Sequence, residues 1–259
     1  MNKFFMAGVA LTVLGVTANA ADLGARRNQP MAPIASAAPA YTWTGLYAGV
    51  NVGGAFSSGN SFRMIGDGAS FGNAAVGLMP AMVSNKRSGF AGGFQLGANY
   101  QTGKFVIGAE TDLQMLGFSR KSTISMVSGT SGSLKQSSHW LGTTRVRLGF
   151  TPVDRLLVYG TGGVAYGNIK ANGGYIAPGL ANAVWQGSMS DTKFGWTLGV
   201  GAEYALTNNI TAKLEYLYYD LGKGDVVMGA ANVAAAGVSP AYRMENRGNI
   251  VRAGLNYKF

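Results

Sequence analysis

The alternation of apolar and polar positions is sharpest between residues 194 and 221, which read as two strands and a tight turn. In the first strand Trp196, Leu198, Val200, Ala202 and Tyr204 share one face, with Thr197, Gly199, Gly201 and Glu203 on the other. The turn is Leu206-Thr207-Asn208-Asn209, and asparagine tolerates the backbone that tight turns need. In the second strand Ile210, Ala212, Leu214, Tyr216 and Tyr218 oppose Thr211, Lys213 and Glu215. A period of two is the strand signature. The same period marks residues 41–56, 89–101, 105–115, 138–150 and 249–259. In 155–166 both phases are apolar or glycine, so the facing of that strand is ambiguous.

This predicts about eight strands, with short turns after the second, fourth and sixth. Four longer Ser/Gly/Asn-rich stretches, 57–88, 117–137, 167–193 and 222–248, read as loops. Sorting connections by length suits a transmembrane barrel, with short periplasmic turns and long external loops. It has no rationale in a soluble sandwich. Strands of roughly 10 to 13 residues are close to the ~9–11 that cross a bilayer at a tilt. No run of about 20 apolar residues occurs after the N-terminus, so a spanning structure has to be a closed barrel. The predicted fold is all-β, an eight-stranded antiparallel transmembrane barrel over residues 41–259.

Residues 1–20 read as a secretory signal peptide. Lys3 is the basic start, 4–16 the apolar core and Ala18-Asn19-Ala20 the small-residue cleavage site. Residues 21–40 hold three of the seven prolines and read as a flexible periplasmic lead. The chain of 259 residues has no cysteine, which excludes disulfides and thiolate metal sites. With 40 glycines, 28 aromatic residues and 12% charged residues, it suits many strands separated by turns. The expected location is the outer membrane, reached through the periplasm after cleavage near Ala20. The C-terminal Tyr257-Lys258-Phe259 alternates back to Val251, and an aromatic end on a last strand implies the barrel assembly machinery as partner.

The motif Trp43-Thr44-Gly45-Leu46-Tyr47-Ala48-Gly49, the preceding Ala21-Asp22-Leu23, the hairpin 195–205 and the end 251–259 together resemble a known family. It is the alphaproteobacterial outer-membrane immunogenic proteins (RopB-type), small porin-like barrels related in fold to the membrane domain of OmpA. The resemblance implies an eight-stranded outer-membrane barrel. Members are described as surface antigens and envelope-stabilising proteins, and some relatives bind hemin. No such role carries over residue by residue.

The polar strand faces hold Glu110, Asp112, Arg145, Arg147, Glu203, Lys213, Glu215, Arg252 and Lys258, five basic against four acidic. With lipid outside, these point inward. An eight-stranded barrel is just wide enough for side chains to fill, so they read as an interior network of ion pairs. The competing reading is a water-lined pore for small solutes. The loops are basic, and Lys86, Arg87, Arg120 and Lys121 are expected to meet lipopolysaccharide phosphates, with outer-membrane lipid around the barrel. His139 is the only histidine and reads as a rim residue. Tyr175 and Tyr242 are the remaining candidates for hemin ligation. Binding of a host ligand through the external loops is a further reading. No cofactor is expected. No nucleophile–base pair or metal set stands out, so the chain is not expected to be an enzyme. Export removes nucleic acid as a partner. Oligomeric state is left open.

Overall fold

A computed structural model describes residues 41–259 except 58–60, 66–67, 69–71, 74–81, 85–87, 126–128, 233–236 and 239. The predicted signal peptide and periplasmic lead lie outside the described residues. Eleven strands occur among the described residues: β1 Gly45–Ser57, β2 Ser61–Met64, β3 Met82–Ser84, β4 Ser88–Thr102, β5 Phe105–Ser125, β6 Ser131–Val153, β7 Leu156–Ala177, β8 Ala183–Ala205, β9 Ile210–Val227, β10 Gly229–Ala230 and β11 Ala241–Lys258. Eight of them form the ring. Their antiparallel order is β1-β4-β5-β6-β7-β8-β9-β11, and β11 pairs back onto β1 from Tyr47↔Lys258 to Ser57↔Gly248. Closure leaves the ring no unpaired edge, which is what lipid requires of a sheet.

The lower part of every ring strand turns apolar side chains outward. Leu46, Val50, Leu96, Ile107, Leu148, Val200, Leu214 and Leu255 are all exposed, and Phe94 and Phe194 are each 70% exposed. In water this surface would be a severe liability; in a bilayer it is the solvent-matched face. Aromatic pairs mark its two rims. Phe105 and Phe150 sit 5.6 Å apart at the turn end, and Tyr257 and Phe259 5.2 Å apart at the C-terminus. At the opposite rim Trp140, Tyr166 and Phe194 form a chain at 6.1 and 6.2 Å, and Trp196 meets Tyr218 at 5.3 Å.

The stretches 117–137 and 167–193 are not loops. β5 and β6 pair as far as Ser125↔Ser131, and β7 and β8 as far as Ala177↔Ala183. Pairing likewise continues above the rim between β9 and β11, up to Val227↔Ala241. The expected pattern broke there for a physical reason: the solvent changes. Within the bilayer the outward side chains are apolar and the inward ones polar. Above the upper rim the outward side chains meet water, so the alternation inverts. In β7, outward Val158 and Val164 give way to outward Lys170 and Asn172, while inward Thr161 gives way to inward Ile169, Ala171, Tyr175 and Ala177. The inversion marks where the membrane ends. The first long connection also holds structure, since β2 pairs with β3 and with the top of β11.

The ambiguous strand is resolved by β7, where Leu157, Tyr159 and Thr161 face inward and Val158 and Val164 outward. Gly163 also faces inward. A Cβ there would lie 2.1 Å from the Thr144 carbonyl and 2.7 Å from the Arg145 Cα, so the backbone of β6 could not keep its place beside a larger residue.

Candidate functional site

The lumen is filled in three layers. The middle layer holds eight of the nine charged residues read from the strand faces. Arg145 is its hub. One terminal nitrogen lies 2.5 Å from Glu110 Oε1 and 2.7 Å from Asp112 Oδ2, and the other 3.0 Å from Glu215 Oε1. Its Nε donates to Thr143 Oγ1 at 2.9 Å. Arg252 binds Glu215 at 2.5 Å and Asp112 at 3.1 Å. Lys213 Nζ donates to both Glu110 oxygens, at 2.9 and 3.0 Å. Arg147 reaches Glu203 at 2.6 Å and Glu110 at 3.4 Å. All eight are nearly or fully inaccessible. Four cations face four carboxylates, so the layer is formally neutral, as burial demands of charge.

Neutral side chains complete it. The Tyr47 hydroxyl donates to Glu110 Oε2 at 2.7 Å and accepts from Arg147 at 2.5 Å. The Arg147 guanidinium lies 3.9 Å from the Tyr159 ring centre, and the Tyr159 hydroxyl donates to Glu215 at 3.1 Å. A relay of amides runs Asn51–Gln95–Asn256 to Glu203, which also accepts from Thr211. Sequence reasoning missed these partners. Tyr47 and Asn51 carried a signal, being polar side chains on the face opposite Leu46, Val50 and Val52. Tyr159 carried none, because its strand was apolar in both phases.

Lys258 departs from the expected set. Its Nζ donates to the Thr42 carbonyl and stands 4.5 Å from the Tyr41 ring centre, at the turn end of the barrel. It is one residue from the C-terminus, below the level at which the lumen closes around charge. Without it the interior balances at four against four, where the sequence count had five basic residues.

The layer at the turn end is aromatic. Residues ahead of β1 cross the barrel mouth as a strap. Gly45 makes the bend, with φ of +143°, a backbone that side chains rarely adopt. Trp43 is 2% exposed and packs with Tyr41, Val106, Leu157, Tyr159 and Ala205. Its indole N–H donates to the Asp154 carbonyl at 3.1 Å, and its backbone N–H to Gln101 Oε1 at 2.8 Å. Thr44 Oγ1 accepts from the Gln101 N–H at 2.9 Å. The family-like Trp-Thr-Gly motif is thus a plug, a latch and a bend.

The third layer fills the external part with apolar side chains: Ile169, Tyr175, Trp185, Leu217, Val226 and Tyr242 among them. Tyr175 and Trp185 stack at 5.1 Å. Tyr175 and Tyr242 are buried here, which removes them as ligands for hemin at the surface. His139 is exposed on β6, and no metal-type cluster of His, Cys, Asp and Glu occurs among the described residues. Glu110 and Asp112 are spent on ion pairs.

Lys86 and Arg87 lie outside the described residues. Arg120 and Lys121 lie in the external part of β5, with side chains outside the described set. Tyr257 and Phe259 lie at the turn end, outward and exposed, with the Phe259 N–H donating to the Leu46 carbonyl at 3.0 Å.

Ion pairs do occur on the external surface. Arg243 grips Asp225 through two hydrogen bonds of 2.8 Å. That hydrogen bonding holds the Asp225 carboxyl below the usual carboxylate range. A depressed folded pKa contributes stability above the ordinary value that is lost as pH falls through the lowered one. The pair is solvent-exposed and screened, so it contributes little to stability. In Arg243→Gln the carboxyl of Asp225 is expected to titrate at a higher pH, checked by carbon-detected NMR of the refolded barrel.

A closed antiparallel ring with an apolar outer band, aromatic rims and a neutralised interior is a transmembrane β-barrel. The outer membrane protein beta-barrel domain family matches residues 29–259. The chain therefore belongs to that family and is an outer-membrane protein. It is 39% identical over 263 residues to the 31 kDa outer-membrane immunogenic protein of Brucella melitensis, covering 100% of both chains. It is 26% identical over 260 residues to the 25 kDa outer-membrane immunogenic protein of Brucella abortus, covering 100% of this chain and 99% of that one. Among solved structures, OprG from Pseudomonas aeruginosa aligns with 83% of this chain and 96% of its own at 14% identity, with a TM-score of 0.48.

Proposed function

We propose that this protein is a closed, non-conducting barrel with a structural and surface-interaction role in the cell envelope. The observation that carries the reading is the filled lumen: a neutral ion-pair layer lies between an aromatic plug and an apolar external layer. A porin needs a continuous water path, and eight strands enclose only enough room for side chains. The interior fixes the barrel and leaves the tall external hairpins to meet the surroundings. Outer-leaflet lipopolysaccharide is the expected partner of the basic side chains above the upper rim. Liposomes carrying the refolded protein are expected to show no faster swelling in arabinose than empty liposomes. Swelling that tracks the amount of folded protein would favour the pore reading.

A further inference from the structure

The outward surface of the external sheet has a hole in it. The register of β6, β7 and β8 sets out three rows of outward side chains. The outermost row is Ser131, Ile176 and Val184. The next is Ser133, Gly174 and Gln186. The third is Lys135, Asn172 and Ser188. The central position is Gly174, so the side chain that would close the surface is missing. The result is a groove of about 880 Å³ with the Gly173-Gly174 backbone as its floor. That volume lies within the roughly 300–1,000 Å³ of small-molecule sites and has room for more than one sugar ring.

The lining selects among ligand classes. One side is apolar, formed by Ile176 and Val184. The other offers the amides of Asn172 and Gln186 and the hydroxyls of Ser133 and Ser188, all neutral. A phosphate site needs cations in the lining, and this one has none. An extended peptide needs a free strand edge, but β7 is paired along both sides. An acyl chain would not choose a polar groove above the aromatic rim. A pyranose ring has what the groove lacks: an apolar C–H face for Ile176 and Val184, and a rim of hydroxyls that both donate and accept, as amides do.

We propose that this groove on β6, β7 and β8 is an oligosaccharide-binding site, with Gly174 providing the slot and Asn172 and Gln186 orienting the sugar. The sugar comes either from outer-leaflet glycolipid or from an external glycan, and the chemistry is common to both. The site rests on the reading of the external hairpins as the interacting surface.

The test is saturation-transfer NMR on the detergent-refolded full barrel with two probes. One is core oligosaccharide released from the producing cell's lipopolysaccharide by mild acid; the other is a soluble sialylated oligosaccharide of host type. Binding of the first places the source in the bacterium's own leaflet, and binding of the second alone places it outside. In either case the double substitution Asn172→Ala/Gln186→Ala is expected to weaken binding about tenfold, the loss of roughly two hydrogen bonds. Gly174→Leu is expected to abolish it by filling the slot. A Cβ at Gly174 meets the Trp185 carbonyl at 2.6 Å, so this variant disturbs the local sheet; the double substitution, at two exposed positions, does not. No transfer from either probe at millimolar concentration overturns the proposal, as does transfer unchanged in the double variant. Liposome swelling on the same preparations reads the closed-barrel proposal separately.

Discussion

Arg145→Ala is expected to destabilise the barrel by about 3–5 kcal/mol, the usual cost of stripping one partner from a buried ion network. The guanidinium touches three carboxylates, Glu110, Asp112 and Glu215, with no exposed side-chain surface on either side. Its loss leaves four carboxylates against Lys213, Arg147 and Arg252. The measurement is the urea midpoint of the refolded barrel, followed by tryptophan fluorescence and by the gel shift between folded and boiled samples. Charge balance, and not contact alone, sets the size of the loss. Adding Asp112→Asn restores the count, three against three, so the double variant is expected to recover part of the loss. Lys193→Ala, which breaks an exposed pair with Asp191 at 2.8 Å, is expected to leave the midpoint almost where it was, because water screens that pair. An Arg145→Ala barrel as stable as the parent would mean that water reaches the cluster and screens it.

Trp43→Ala is the second large effect, about 3–5 kcal/mol, because a buried indole is deleted from a packed mouth with little means of collapse. The Asp154 carbonyl also loses its donor. Hydrogen exchange is expected to quicken first in 41–47 and at the turn around Asp154, while the external hairpins keep their protection. Conductance is expected to stay absent, because the apolar layer above the ion pairs does not depend on Trp43. Exchange that quickens uniformly around the ring would mean that the strap is part of the sheet's global stability and not a local plug.

Most of the membrane-embedded part was legible in the sequence. Alternation placed the eight ring strands and the short turns, and the polar phase picked out eight residues that meet in one layer. Two things were not legible, for physical reasons. The external hairpins hid because the rule for reading alternation changes at the membrane surface. Ile169, Ala171 and Tyr175 keep the inward parity of Tyr159 and Thr161, but the apolar side has moved from lipid to lumen. A period of two with a phase flip resembles no period at all. The strap hid because 41–44 continues the apparent strand in sequence, whereas the positive φ of Gly45 turns it across the mouth. Lys258 was misplaced for a related reason: parity gives the face of a strand, not the depth within the barrel.

Single-channel recording of the refolded protein in a planar lipid bilayer decides whether the lumen is closed. With insertion confirmed by heat-dependent gel mobility, the bilayer is expected to remain silent across the applied voltage range. Discrete, reproducible current steps that shift in ion preference on Glu203→Gln or Lys213→Gln would contradict the account, because those side chains would then line water instead of one another.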